Sequence, residues 1–122
     1  MAEPSLRLRP TMRLRTRAEF DRVLKNGRRA SDNRLTLWTL ATEGGGRRLG
    51  LIVGRRHGNA VRRNRLKRLI REAFRLMRGD LPEATDFVVS PIPGVELTLA
   101  GVREAIGLLV QRTRRGSRAK VR

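Results

Sequence analysis

Basic residues are concentrated between Arg47 and Arg78, where 12 arginines and lysines stand against a single acid, Glu72. The whole chain of 122 residues has 29 Lys+Arg and 11 Asp+Glu, which gives a formal net charge of +18. Self-repulsion on this scale destabilises a folded chain unless a polyanion neutralises part of it. Nucleic acid is the polyanion that the pattern favours. The alternative, an anionic membrane surface, rests on charge alone, because no segment has the length and apolarity of a membrane-spanning helix.

The segment from Ala60 to Arg78 has the periodicity of a helix, with Asn59 as a good N-cap and Gly79 as its stop. At about 100° per residue, one face is apolar: Leu66, Leu69, Ile70, Ala73, Phe74 and Met77. The other face is basic: Asn64, Lys67, Arg68, Arg71, Arg75 and Arg78. Surface helices usually mix charges of both signs, because like charges one turn apart repel. The unmixed row therefore predicts a nucleic-acid-binding helix, in which Glu72 could steady Arg68.

Residues for catalysis are scarce. The chain has no cysteine, and His57 is its only histidine, so disulfides, thiolate chemistry and the usual zinc sites are excluded. The acids Asp32, Glu72, Asp80 and Asp86 are scattered along the sequence. We therefore predict no catalytic residues and leave metal ligands unassigned, and a nuclease acting alone stays as a rival hypothesis.

The elements around this helix are predicted from caps, turns and alternation. Thr16-Arg17-Ala18-Glu19 has the form of a capping box for a short helix that ends at Asn26 before Gly27. Leu35–Leu40 alternates with a period of two and predicts a strand. Gly44-Gly45-Gly46 predicts a hairpin turn, with Arg48–Val53 as the antiparallel partner strand.

The remaining elements are a strand and a final helix. Asp86–Ser90 is predicted to be a strand, and Leu97–Gln111 a helix with Thr98 as a plausible cap. We expect an extended basic arm over residues 1–15, a single domain over 16–111 and a flexible basic tail over 112–122. Periodicity assigns Phe74 and Phe87 to the core. Trp38 and Phe20 fit either the core or a platform on which bases stack.

One stretch resembles a known family. Residues 58–75 follow the pattern G-N-A-V-x-R-N-R-x-K-R-x-x-R-E-x-F-R, which is similar to the signature of the protein subunit of bacterial ribonuclease P. The order of the other segments agrees over about residues 12–112. The resemblance implies an α+β fold of order αβββαβα, similar to a domain of a ribosomal small-subunit protein, with a left-handed βαβ crossover.

The resemblance also implies a function and a set of sites. The family's protein assists a catalytic RNA, which removes the 5′ leader from precursor tRNA using Mg²⁺ held mainly by the RNA. The residues that would contact the catalytic RNA are Arg62, Arg63, Asn64, Arg65, Lys67, Arg68, Arg71 and Arg75. Those that would meet the leader strand in a central cleft are Phe20, Trp38, Arg55 and Arg56. One protein per RNA, a cytoplasmic location and no membrane partner are expected.

One departure weakens the expectation of a two-ring stacking platform: Leu24 stands where the family often has a second aromatic residue. A ribosomal or other structural RNA-binding protein would share the charge and fold class, so only the ordered motif favours ribonuclease P over it.

Overall fold

The structure of the protein is a computed structural model, which describes residues 12–121 and the side chains through residue 114. The elements in chain order are α1 (Arg17–Asn26), β1 (Arg28–Ser31), β2 (Leu35–Ala41), β3 (Arg47–Leu51), α2 (Ala60–Met77), β4 (Thr85–Pro91) and α3 (Leu99–Val121). Short 3-10 turns cover Arg55–His57 and Arg78–Asp80. The predicted α+β class and the order αβββαβα are confirmed.

The four strands form one sheet in the order β1-β2-β4-β3. β4 is antiparallel to β2 and parallel to β3. The predicted hairpin between β2 and β3 is therefore wrong, because β4 lies between them. Alternation shows which side of a strand is buried but does not identify its neighbour. The parallel pair requires a crossover connection, and α2 provides it; the left hand of this crossover stays a prediction.

Strand β1 is absent from the residue-by-residue prediction, although the fold implied by the family requires it. It contains Arg28, Arg29, Ala30 and Ser31 and pairs antiparallel with β2, from Arg28 opposite Thr39 to Ser31 opposite Thr36. Because this strand has four residues and only one apolar side chain, it shows no alternation of apolar and polar residues from which a strand could be predicted. Short, charged strands are typical of sheet edges, where they discourage pairing with another chain.

The sheet has a main core on one side and a smaller core on the other. In the main core, Leu37 and Phe87 pack with α2 and α3, and the rings of Phe74 and Phe87 meet edge to face at 5.2 Å between centroids. In the smaller core, Val23 of α1 packs with Leu14 and Val88. The expected core positions of Phe74 and Phe87 are confirmed.

Helix α1 begins and ends as the sequence indicates. The Thr16 hydroxyl accepts a hydrogen bond from the Glu19 amide at 3.1 Å, and the Glu19 carboxylate accepts from the Thr16 amide at 3.1 Å. Hydrogen bonds from the Arg15 and Thr16 amides lower the pKa of Glu19. At Gly27 the backbone is extended, and a Cβ would lie 2.5 Å from the Val23 carbonyl oxygen. Glycine is therefore required at position 27, because any side chain would collide with this carbonyl oxygen.

The backbone on either side of both predicted domain boundaries is part of the fold. The Leu14 amide donates to the Leu49 carbonyl at 3.0 Å and Arg13 forms a parallel bridge with Leu49, so the end of the expected arm lies along the edge of β3. Residues 1–11 lie outside the described part. The expected tail begins within α3, whose backbone is helical through Val121. Thr113 is buried, and its hydroxyl donates to the Val110 carbonyl at 2.8 Å.

The predicted ends of α2 and α3 also shift slightly. α2 ends at Met77, and Gly79 lies within the following 3-10 turn rather than closing the helix. The Thr98 hydroxyl accepts from the Gly101 amide at 3.0 Å, as expected of a residue that caps α3.

A buried carboxylate joins α1, β3 and β4. Asp86 is 1% exposed; its Oδ1 accepts from Arg48 Nε at 2.9 Å and its Oδ2 from Arg22 Nη2 at 3.0 Å. Arg48 also pairs with Glu19 at 3.2 Å. The hydrogen bond from Arg48 to Asp86 raises the pKa of Arg48. Removing one member of a buried ion pair leaves its partner uncompensated, which is more costly than losing an exposed pair.

We predict that Asp86→Ala lowers the free energy of unfolding by about 3–5 kcal/mol, because Arg48 then lacks its main partner. Arg22→Gln is the matched control. The Arg22 side chain is half exposed, so its loss should cost about 1 kcal/mol or less. Urea unfolding of both variants measures the difference, and equal losses would contradict the role assigned to Asp86.

Candidate RNA-binding surface

Helix α2 projects its first half beyond the core. Its buried residues are Ile70, Ala73 and Phe74, all in the second half. The helix begins at Asn59, whose side chain accepts from the Arg62 amide at 2.9 Å. Four polar residues in the first half are exposed and are called here the exposed basic face: Arg62, Asn64, Arg65 and Arg68. The position of a residue along α2, relative to the core, therefore decides whether its charged side chain is exposed to solvent and free to bind a ligand.

The other predicted RNA contacts on α2 are partly buried: Arg63, Lys67, Arg71 and Arg75. Arg75 is the clearest exception to the predicted exposed row. Its side chain is 13% exposed and pairs with Glu72, with Nε donating to Oε1 at 3.2 Å. The expectation that Glu72 steadies Arg68 is corrected accordingly, because Glu72 holds Arg75.

Ion pairs leave most of the exposed basic face free. Arg62 pairs with Glu96 at 3.2 Å, and both side chains are at least half exposed. Within the described residues, Arg65 and Arg68 form no ion pair with a carboxylate. Such exposed cations can take a phosphate without first losing a protein partner.

The 3-10 turn before α2 presents two more cations. Arg55 and Arg56 are exposed, whereas His57 between them and α2 is buried. His57 Nδ1 accepts from the Gly54 amide at 3.0 Å, so the ring hydrogen is on Nε2, which donates to the Pro91 carbonyl at 2.7 Å. One histidine thus closes the turn and ties it to the end of β4.

The two aromatic candidates lie together on the α1 side of the sheet. Phe20 and Trp38 are partly buried and pack against the small core with Leu24. A Cβ on Gly50 would lie 2.7 Å from the Phe20 ring, so this ring rests on the backbone of β3. Each ring has a packed side and a remaining exposed part, so the choice between a core role and a stacking platform stays a prediction.

Arg29 is a neighbouring cation that the sequence prediction missed. Its guanidinium lies 5.9 Å from the centre of the Trp38 ring, and the two residues face each other in the β1–β2 register. Arg29 could have been found only by predicting that β1 pairs with β2. The composition of β1 gives no indication that this segment is a strand. Cation and ring together form the kind of surface on which single-stranded RNA stacks.

The described residues contain no group of three or more His, Cys, Asp or Glu side chains placed to hold a metal ion. Three of the scattered acids are already paired with arginines: Asp32 with Arg34, Glu72 with Arg75, and Asp86 with Arg48. At Asp32, burial raises the pKa, but hydrogen bonds from the Leu35 and Arg34 amides bring it below the usual value. No helix in this part of the chain is long and apolar enough to cross a membrane.

Comparison with known proteins decides the family. The family described as Ribonuclease P matches residues 8–114. This chain belongs to the ribonuclease P protein family. Among curated relatives, the ribonuclease P protein component of Brevibacillus brevis is 36% identical over 104 residues, covering 84% of this chain and 82% of that protein. That of Desulfotalea psychrophila is 39% identical over 104 residues, covering 84% and 87%.

Solved structures of ribonuclease P proteins share the fold. The protein from Thermotoga maritima superposes with a TM-score of 0.73 at 33% identity and covers 81% of this chain and 96% of its own. The protein from Staphylococcus aureus superposes with a TM-score of 0.73 at 27% identity and covers 82% and 93%. The family resemblance read from residues 58–75 is confirmed.

The double role of His57 gives a prediction. His57→Phe should lower the free energy of unfolding by about 2 kcal/mol, because the Gly54 amide and the Pro91 carbonyl both lose a partner. His57→Asn keeps an acceptor near the Nδ1 position, and His57→Gln keeps a donor near the Nε2 position, so each should restore part of the loss.

Urea unfolding and amide exchange at Gly54 check this prediction. The Gly54 amide should stay protected in the wild type and in His57→Asn and exchange faster in His57→Gln and His57→Phe. Equal exchange in all four proteins would show that the ring does not close the turn.

Proposed function

We propose that this protein is the protein subunit of ribonuclease P, which assists a catalytic RNA in removing the 5′ leader from precursor tRNA. The observation that carries the proposal is the exposed basic face on the helix that bears the family motif. In this proposal one protein binds one catalytic RNA, and the RNA performs the hydrolysis with Mg²⁺ bound mainly by the RNA.

The exposed basic face is the proposed contact with the catalytic RNA. Arg65 and Arg68 offer planar forks of donors that fit phosphate oxygens, and Asn64 adds a directed hydrogen-bonding group. Lys67, Arg63 and Arg71 extend the contact along the side of α2. Arg75 contributes less in this proposal, because it is largely buried and already neutralised by Glu72.

The proposed leader site lies on the α1 side of the sheet and continues to the turn at Arg55–His57. Phe20 and Trp38 supply rings, and Arg55 and Arg56 supply cations. The turn follows β3 directly: Ile52, just after this strand, packs against the same small core as the two rings. A single strand crossing from the rings to the turn would meet stacking surfaces first and phosphate-binding cations next.

The protein's contribution in this proposal is binding rather than bond cleavage. Neutralising several phosphates lowers the repulsion between the catalytic RNA and its substrate, so less Mg²⁺ is needed for both to associate. Asp32, Asp86 and Glu72 each hold an arginine in place, which suits a supporting role for the protein.

Two rival functions remain distinguishable by experiment. A ribosomal protein would co-purify with ribosomes rather than with a small catalytic RNA. A nuclease acting alone has a specific observation in its favour: a similar solved structure is of a Staphylococcus aureus RNase P protein mutant described as defective in mRNA degradation activity, with 26% identity and a TM-score of 0.74. Cleavage of RNA by the protein without any RNA partner would support that rival.

Reconstitution tests the proposed function. At low Mg²⁺, adding the protein to ribonuclease P RNA should increase the rate of leader removal and the affinity for precursor tRNA, because protein cations replace part of the metal's screening. The effect should shrink as Mg²⁺ is raised. An unchanged rate and affinity at low Mg²⁺ would refute the proposal.

Charge removal tests the exposed basic face. Arg65→Gln combined with Arg68→Gln should weaken binding to the catalytic RNA by roughly tenfold or more and reduce the slope of log affinity against log salt by about 0.9 for each phosphate that is no longer neutralised. Thermal unfolding should change little, since both side chains are exposed. Arg75→Gln is the matched control, expected to affect folding more and the salt slope less. The reverse pattern would contradict the assignment.

A further inference from the structure

A second basic surface lies at the opposite end of β3 from the Arg55–His57 turn. The start of β3, the middle of α1 and the 3-10 turn after α2 surround an open cavity of about 660 Å³ there. It is called here the arginine cleft. Its wall contains four arginines and one acid beside a turn of three glycines: Arg22, Arg47, Arg48, Arg78 and Asp86, with residues 44–46.

Positive charge dominates the wall of the arginine cleft. Among the described lining residues, the one acid is Asp86. It is buried, and two arginines share it: Nη2 of Arg22 and Nη2 of Arg48 donate to its Oδ2 at 3.0 and 2.9 Å. Glu19 and Glu83 pair with arginines of the cleft but do not line it. Four arginines and one aspartate leave the wall with a net charge of +3.

Two of these arginines are held in place and still have unused donors. A guanidinium group carries five N–H donors. Arg22 bonds to Asp86 through one nitrogen, and half of its side chain is exposed. Arg47 donates from Nε to the Leu81 carbonyl at 2.9 Å, while its pair with the exposed Glu83 is longer, at 3.7 Å. A ligand could therefore bind both groups without displacing the contacts that fix them.

Arg78 is the third arginine with unused donors. Its Nη1 donates to the Met12 sulfur at 3.5 Å, and a thioether is a weak acceptor. Within the described residues Arg78 forms no ion pair. Arg48 differs from the other three, because it bonds to Asp86 and Glu19 through all three of its nitrogens. Arg22, Arg47 and Arg78 are thus the groups that remain able to bind a ligand.

The turn at residues 44–46 borders the cleft without side chains. All three glycines are exposed, and a Cβ added at any of them would meet no atom within 4 Å. Gly45 has a φ of +86°, which favours glycine, but neither packing nor a positive φ requires glycine at Gly44 or Gly46. The absence of side chains leaves this side of the cleft open to a ligand.

The charge and size of the cleft indicate a ligand with more than one phosphate. Cations around one cavity repel each other, and an anion between them offsets that repulsion. Phosphate suits arginine because two of its oxygens match the fork of guanidinium donors. Pockets that hold small ligands usually have volumes of roughly 300–1,000 Å³, so the cleft has room beyond one phosphate. Three arginines from separate elements also suit two phosphates better than one.

We propose that the arginine cleft binds two neighbouring phosphate groups, as in a nucleoside diphosphate or in consecutive nucleotides of an RNA strand. Arg22 and Arg47 bind them from α1 and β3, and Arg78 from the turn after α2. Asp86 is a positioning residue that holds Arg22 without touching the ligand. The site goes beyond the proposed function, which uses the first half of α2, the two rings and the Arg55–His57 turn.

Inorganic pyrophosphate is the probe for the free full-length protein. Arg22→Gln and Gly46→Asp should each weaken its binding by roughly tenfold, the range of a hydrogen bond to a charged group. The first variant removes donors, and the second adds a carboxylate at the entrance without a steric clash. Calorimetric titration measures the affinity. In the wild type, the amide signals of residues 44–46 should shift and saturate when the titration is followed by NMR.

Arg103→Gln and Ala100→Asp are the matched controls, because they make the same charge changes on α3. Both positions are exposed and lie outside the cleft. They should change pyrophosphate affinity by less than about twofold, since salt screens distant exposed charges. Equal weakening in all four variants, or amide signals that shift without saturating, would indicate general attraction of anions and overturn the site.

Ribonuclease P RNA distinguishes the two sources of phosphate. If the cleft binds an RNA strand, Arg22→Gln and Gly46→Asp should weaken RNA binding as they weaken pyrophosphate binding, and pyrophosphate should compete with RNA at constant ionic strength. If it binds a free nucleotide, both variants should keep RNA affinity within about twofold of the wild type but lose affinity for ADP.

Either of these results supports the site, and unchanged affinity of both variants for RNA, ADP and pyrophosphate would overturn it. Failure of the wild type to bind ribonuclease P RNA would refute the proposed function instead, because the pyrophosphate titration does not involve that RNA.

Discussion

The insertion of β4 between β2 and β3 is the constraint on which the arrangement of this protein depends. Because β3 and β4 are parallel neighbours, the chain must cross over the sheet between them, and α2 is that crossing. The helix is thereby fixed at both ends by adjacent strands. Its second half is buried at Ile70, Ala73 and Phe74, while in its first half Arg62, Arg65 and Arg68 are exposed. The crossover therefore fixes where the basic surface lies relative to the sheet.

The acids and the arginines have different tasks in this fold. Asp86, Glu19, Asp32 and Glu72 hold arginines that stabilise the scaffold, as in the link from α1 to β3 and β4. Arg65 and Arg68 on α2, and Arg55 and Arg56 before it, form no ion pairs within the described residues. The free protein therefore retains a positive charge that an RNA partner would neutralise, which is the usual compromise between stability and binding.

Much of this could be predicted from local sequence. The capping box at Thr16 and Glu19, the Asn59 cap and the alternation of Leu35–Leu40 are local signals, and each identified its element. The family motif identified the family. Strand neighbours could not be predicted in this way, because the pairing of β2 with β4 joins residues that are distant in sequence, such as Leu37 and Val89, and depends on the whole sheet. β1 was missed because Arg28-Arg29-Ala30-Ser31 has no apolar alternation.

The sequence also could not predict which basic side chains of α2 are exposed and free of ion pairs. Helical periodicity placed Arg75 and Arg68 on the same basic row, yet only Arg68 is exposed, because burial changes along the length of α2 as well as around it. A cryo-electron microscopy map of the protein bound to ribonuclease P RNA and precursor tRNA would test directly whether the exposed basic face binds the catalytic RNA. We expect Arg65 and Arg68 to face the catalytic RNA backbone and the leader to lie beside Phe20 and the Arg55–His57 turn. A map in which the first half of α2 faces solvent would contradict this expectation.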